Sequence, residues 1–128
     1  MCRADILEEL GYKAEDIKNF DDIEEVLKKC QEVHPELYPM IPSDLNNGCF
    51  ANYVKGEFDV VTSGVGVDID DDASDGITVI NTYDTEKYKE MAEKAYDWNQ
   101  KGYFMPDSTT NTTTRQDLFR ANTAFSYY

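Results

Sequence analysis

A chain of 128 residues suits one domain, and by size scaling it should bury roughly two-thirds of its unfolded surface, enough for a core without staples. Its 41% hydrophobic and 12% aromatic content excludes a disordered chain. With 26 acids against 12 bases and a net charge of -14, it should repel nucleic acid and anionic membrane. Solubility is the plain reading of that charge.

The three cysteines, Cys2, Cys30 and Cys49, are odd in number and show no C-x-x-C spacing, so they complete no disulfide framework. With the single histidine, His34, they make a poor zinc set, and structural thiols are the default. No run of about 18 apolar residues could span a membrane. The start, MCRADILEEL, lacks the basic and apolar regions of a secretion signal. Either a cytosolic protein or a piece of a longer secreted chain fits these facts.

In chain order, residues 4 to 10 predict a short helix that Gly11 ends. Asn19 is a cap with Asp22 three residues on, opening a helix from about Phe20 to His34. Ile23, Val26, Leu27, Cys30 and Val33 follow the i, i+3, i+4, i+7 spacing of one buried face. Pro35 stops the helix, and His34 beside it reads as a surface residue facing the helix dipole.

Leu37 to Ile41 reads as a strand that Pro39 confines to an edge or to its beginning. Turn formers from Pro42 to Gly48 then place a polar loop just past the strand's carboxyl end, where open α/β sheets usually meet ligands. Residues 49 to 56 predict a short helix. Strands follow at Phe58 to Thr62, Gly66 to Asp70 and Ile77 to Asn81.

Between the last two strands, acids at 68, 70, 71, 72 and 75 invite a calcium reading. An EF-hand loop begun at Asp68 needs glycine at 73 and glutamate at 79, where the chain has Ala73 and Val79. A solvated hairpin tip ending in Asp-Gly is the better reading.

Asp84-Thr85 opens the next helix, in which Tyr88, Met91, Ala92, Ala95 and Trp98 share a face and Gly102 supplies the terminal turn. Trp98 falls on the margin of that stripe. A polar loop, Ser108 to Thr114, leads to a short helix from Arg115 to Ala121 and a final strand, Thr123 to Tyr128. Asn111-Thr-Thr is formally a glycosylation acceptor, of a kind frequent by chance in threonine-rich loops.

Catalytic patterns are scarce. One histidine, no Gly-x-Ser-x-Gly elbow, no phosphate-cradling glycine loop and no H-E-x-x-H leave little for an enzyme to use. The expectation is a non-enzyme with no catalytic residues, no cofactor and no metal.

Three passages together resemble the family 1, or maltose-binding-protein-like, solute-binding proteins of ABC importers. They are Asn19 to Lys29, Asp84 through Trp98 to Pro106 with its Trp-x-x-Lys-Gly-Tyr pattern, and Leu118 to Phe125. In the third, Asn122 and Thr123 replace the family's glycine and lysine; asparagine tolerates the left-handed backbone a glycine would supply.

The resemblance implies a class II periplasmic-binding-protein-like α/β fold, with residues 1 to 128 forming one lobe, the second, with a small mixed sheet flanked by helices. It further implies a fragment of a longer chain whose first lobe is missing, extracellular or periplasmic and anchored as a lipoprotein, delivering a small polar solute, a sugar first, to an ABC permease. The positions matching the family's cleft are Ser43, Asp44, Asn46, Asn47 and Phe50, then Tyr127 and Tyr128. Tyr83 is a further candidate, with Tyr53 and Asp84 behind it. A free-standing acidic interaction or calcium-binding module is the alternative.

Overall fold

Side-chain caps and backbone turns that satisfy otherwise unpaired backbone groups mark most of the helix boundaries. The computed structural model describes residues 1–42, 64–69, 76–108 and 110–128, and the backbone of 58–62. Its helices are α1 (Ala4–Glu9), α2 (Phe20–Val33), α3 (Glu86–Gln100) and α4 (Arg115–Arg120). Its strands are β1 (Tyr38–Ile41), β2 (Phe58–Thr62), β3 (Val65–Asp68), β4 (Val79–Asn81) and β5 (Ala124–Tyr127). Among the described residues, no helix is long and apolar enough to cross a membrane.

The caps are those the sequence predicts. Asn19 Oδ1 accepts from the N–H groups of Asp21 and Asp22, both at 2.9 Å, while Asp22 Oδ2 accepts from Asn19 N–H at 3.2 Å. This reciprocal box starts α2. Thr85 Oγ1 accepts from Tyr88 N–H at 3.2 Å to open α3, and Thr114 does the same for Asp117 N–H at 3.2 Å to open α4.

Helices α3 and α4 share one exit. Tyr103 N–H reaches Trp98 O at 3.0 Å across Gly102 (φ 77°), and Thr123 N–H reaches Leu118 O at 3.1 Å across Asn122 (φ 54°). Both are Schellman turns, and asparagine carries the second because its short polar side chain tolerates that backbone.

The described residues fall into two compact units, one from Met1–Gly48 with Trp98–Tyr128 and one from Cys49–Asp97. In the first, β1 and β5 pair in parallel, with Tyr38 opposite Ala124 and Ile41 opposite Tyr127. Cys2 bridges antiparallel to Ser126 on one flank, and Phe104 bridges parallel to Met40 on the other. Thus β1 has backbone neighbours on both sides. Pro39 is accommodated as its second residue, between Tyr38 N–H bonded to Thr123 O (2.8 Å) and Met40 N–H bonded to Tyr103 O (3.0 Å). Its carbonyl accepts from the buried Ser126 Oγ at 2.6 Å.

Helix α2 packs on β1 and α4 on β5. Among the described residues, Trp98, Phe125, Leu27, Ile41 and Cys30 are the largest fully buried side chains. Trp98 therefore lies in the core, not on its margin. Its indole N–H explains the difference: it donates to Glu24 Oε2 at 2.9 Å, so the ring can be buried with its polar atom satisfied.

Two side chains at the end of α2, Val33 and the capping His34, depart from the sequence pattern. Val33, last of the apolar stripe, is half exposed. His34 is not a free surface residue: it sits half-buried with Nε2 3.4 Å from Glu9 Oε1 and Nδ1 3.2 Å from Glu36 Oε1. Cys30 behaves as a structural thiol, since burial, helped by the charge of Glu36, pushes it up to about 11.

The second unit is a meander in which β3 pairs antiparallel with β2 and with β4. The strands predicted at 66 to 70 and 77 to 81 are shorter, Val65–Asp68 and Val79–Asn81. The helix predicted at 49 to 56 and most of the acidic tip, 70–75, lie outside the described residues. Asp68, the described acid that would begin a calcium loop, pairs with Lys87 at 3.2 Å.

Candidate functional site

Parallel pairing of β1 and β5 puts both carboxyl ends at one edge of the first unit. Ile41 stands level with Tyr127, and Tyr128 N–H donates to Ile41 O at 3.3 Å. The chain therefore leaves β1 through buried Pro42 at the same edge where Tyr127 and Tyr128 stand. Of the sequence-predicted positions, Ser43, Asp44, Asn46, Asn47 and Phe50, with Tyr53, lie outside the described residues.

Both tyrosines are half-buried and built in by aromatic neighbours. Tyr128 meets Phe104 edge to face at 5.5 Å, and Tyr127 meets Phe119 in the same way at 5.9 Å. Tyr127 also packs on the cluster of Ile41, Met105 and Ala124. The Arg115 guanidinium lies over the Tyr127 ring, 4.8 Å from its centroid. One face of that ring is therefore already covered.

Sequence reasoning missed Phe104, Phe119 and Arg115. A signal for the last was present: an arginine in the first turn of α4 stands at the positive end of the helix dipole, where a cation gains nothing from the backbone.

Tyr83 and Asp84 belong to the second unit, in a turn between β4 and α3. Asn81 locks that turn, accepting from Tyr83 N–H at 3.2 Å and donating to Asp84 Oδ2 at 2.9 Å. Tyr83 is 45% exposed and rests edge-on against Tyr88 at 4.9 Å. Gly64 (φ 77°) allows this, because a Cβ there would run into the Tyr83 ring edge.

The Trp-Asn-Gln-Lys-Gly-Tyr stretch is architecture. Trp98 and Lys101 hold the two oxygens of one carboxylate, Nε1 at 2.9 Å from Glu24 Oε2 and Nζ at 2.5 Å from Oε1. Gln31 Nε2 donates to the carbonyls of Lys101 and Gly102, both at 3.3 Å. The motif fastens the end of α3 to α2, and from it the chain enters the Tyr103 to Met105 segment beside β1.

This mixed α/β arrangement is a fold found in part of solute-binding proteins. The neighbours that show it are structures of the N-glycan transport solute-binding protein NgtS from Streptococcus pneumoniae. Its complex with Man1GlcNAc matches 97% of this chain at a TM-score of 0.73 and 20% identity. Its complex with Man5GlcNAc matches 97% at 0.73 and 22% identity, and a further NgtS structure gives 0.71 at 20% identity. This chain spans 26% of the length of those proteins. No protein-family model matches it, and no curated protein matches it by sequence. The α/β class expected from the sequence is therefore the observed one, and the neighbours are binding proteins, not enzymes.

Proposed function

We propose that this chain is the second lobe of a family 1 extracytoplasmic solute-binding protein, and that it offers half of a cleft for a sugar or oligosaccharide destined for an ABC permease. One observation carries the reading: 97% of the chain follows the fold of a protein whose structures hold Man1GlcNAc and Man5GlcNAc. The parallel edge of β1 and β5 supports it, since Tyr127, Tyr128 and Arg115 gather at the strands' carboxyl ends, where open α/β sheets usually meet ligands.

Such a lobe works without chemistry. Aromatic faces cover a sugar's C–H faces, polar side chains bond its hydroxyls, and closure onto a first lobe biases an open-closed equilibrium that a permease reads. Ser43, Asp44, Asn46, Asn47 and Phe50 belong to the proposed half-site by their place in sequence after β1. Tyr128 and Tyr127 belong by their place at the edge, and Tyr83 is kept as an outlying member. The full-length protein would work outside the cytoplasm as an anchored lipoprotein.

The test is a thermal-shift panel of oligosaccharides against the full-length protein, because a ligand that binds only the native state raises its apparent stability. A shift with mannose- and N-acetylglucosamine-containing glycans supports the reading. No shift with any sugar, together with a shift for peptides or other solutes, overturns the sugar assignment.

A further inference from the structure

We propose that Arg115, seated on Tyr127, is a solute-contact residue that reads a carboxylate on an acidic sugar; this rests on the carboxyl edge being a sugar half-site. The starting point is a contrast among the arginines. Arg3 holds Asp5 at 2.6 Å and Arg120 holds Asp117 at 3.4 Å. Arg115 holds no carboxylate among the described residues, in a chain whose 26 acids outnumber its 12 bases.

A role in helix stability does not explain the residue. At the first position of α4 its charge opposes the dipole, whereas Arg120 in the last turn complements it. What fixes Arg115 is the ring beneath it. A contact with the Tyr127 ring face attracts the guanidinium without using its N–H donors, which leaves a fork whose spacing matches the two oxygens of a carboxylate.

The same geometry reassigns Tyr127. Its ring packs on the cluster of Ile41, Met105 and Ala124 and carries Arg115, so it positions the arginine instead of stacking on sugar itself. Tyr128, one residue further along the edge, remains the aromatic contact. The net charge of -14 opposes an anionic solute at long range, so the attraction for a carboxylate has to come at contact, from the guanidinium.

The experiment titrates the full-length protein calorimetrically with two probes, an oligosaccharide ending in glucuronic acid and its counterpart ending in glucose. The acidic probe should bind about tenfold tighter, the size of one charge-assisted bidentate contact. Arg115→Gln should remove that advantage and leave glucose-probe affinity within about twofold, a difference too small to mark a lost contact. Arg115→Lys, which keeps the charge and loses the fork, should fall between.

Equal binding of both probes to the unaltered protein, with Tyr128→Ala weakening both, overturns this inference and leaves the sugar half-site standing. Equal weakening of both probes by Arg115→Gln also overturns it. If neither probe binds and Tyr128→Ala changes nothing, the half-site reading fails and takes the inference with it.

Discussion

The two units of this chain are stabilised by different kinds of contact. The first joins residues far apart in sequence: β1 to β5, Glu24 to Trp98, and the Cys2 segment to Ser126. Among the described residues it holds the five largest fully buried side chains. The second is a local meander of short strands, with Ile69, Ile77, Val79 and Tyr83 well exposed. The proposed sugar edge lies in the first unit, where these long-range contacts suit a preformed half-site.

The largest expected effect lies in the first unit. Trp98→Ala should cost about 3–5 kcal/mol in urea unfolding, because it opens a cavity and leaves Glu24 without its indole donor. A loss below about 1 kcal/mol would remove the contrast between the units, since that is the scale of a surface change.

Backbone geometry gives the next test, one position in each unit. Gly64→Ala and Gly102→Ala should each cost roughly 1–2 kcal/mol, because both glycines hold a left-handed φ. Gly64→Ala should cost the more of the two, since its new methyl must also displace Tyr83. Equal costs would show that the Tyr83 ring yields freely.

A smaller effect is expected from Ile77→Thr in the second unit, within about 0.5 kcal/mol of the parent in the same unfolding measurement, because Ile77 is 79% exposed. A larger loss would mean that this strand is covered in solution.

The smallest effect depends on pH. Glu36 is held below its usual range, first by a backbone hydrogen bond and then by His34. A carboxyl depressed on folding stabilises the protein above its unfolded value of about 4.5, and the contribution is lost as pH falls through the lower folded value. Glu36→Gln should therefore lower the urea midpoint at pH 6, and the difference should shrink near pH 3. A difference that is the same at both pH values would contradict the assignment.

Much of the fold was legible because its signals are local. The Asn19 box, the stripes of α2 and α3, and the turns at Gly102 and Asn122 each depend on residues within one or two helical turns, so spacing and capping rules reach them. The long-range partners were not legible. Nothing near Trp98 in sequence announces Glu24, so its burial read as marginal, and nothing near Pro39 announces that the Tyr103 segment flanks β1. His34 was misplaced for the same reason, since Glu9 lies 25 positions upstream.

In the proposed half-site, Tyr127 and Tyr128 were named from sequence by a family resemblance and a strand pattern. Arg115 left one sequence signal, a cation at the first position of α4, but the ring it contacts lies 12 residues away. The polar positions after β1 rest on sequence order alone.

The central claim is that the edge formed by β1 and β5 is half of a sugar cleft, and the most direct measurement is calorimetric binding of oligosaccharides to the full-length protein with and without Tyr128→Ala. Binding should be micromolar, about -8 kcal/mol, and weakened roughly tenfold by the substitution while the protein stays folded with at most a small fall in melting temperature. Sugar binding that is indifferent to Tyr128, or no sugar binding by a folded protein, would contradict it.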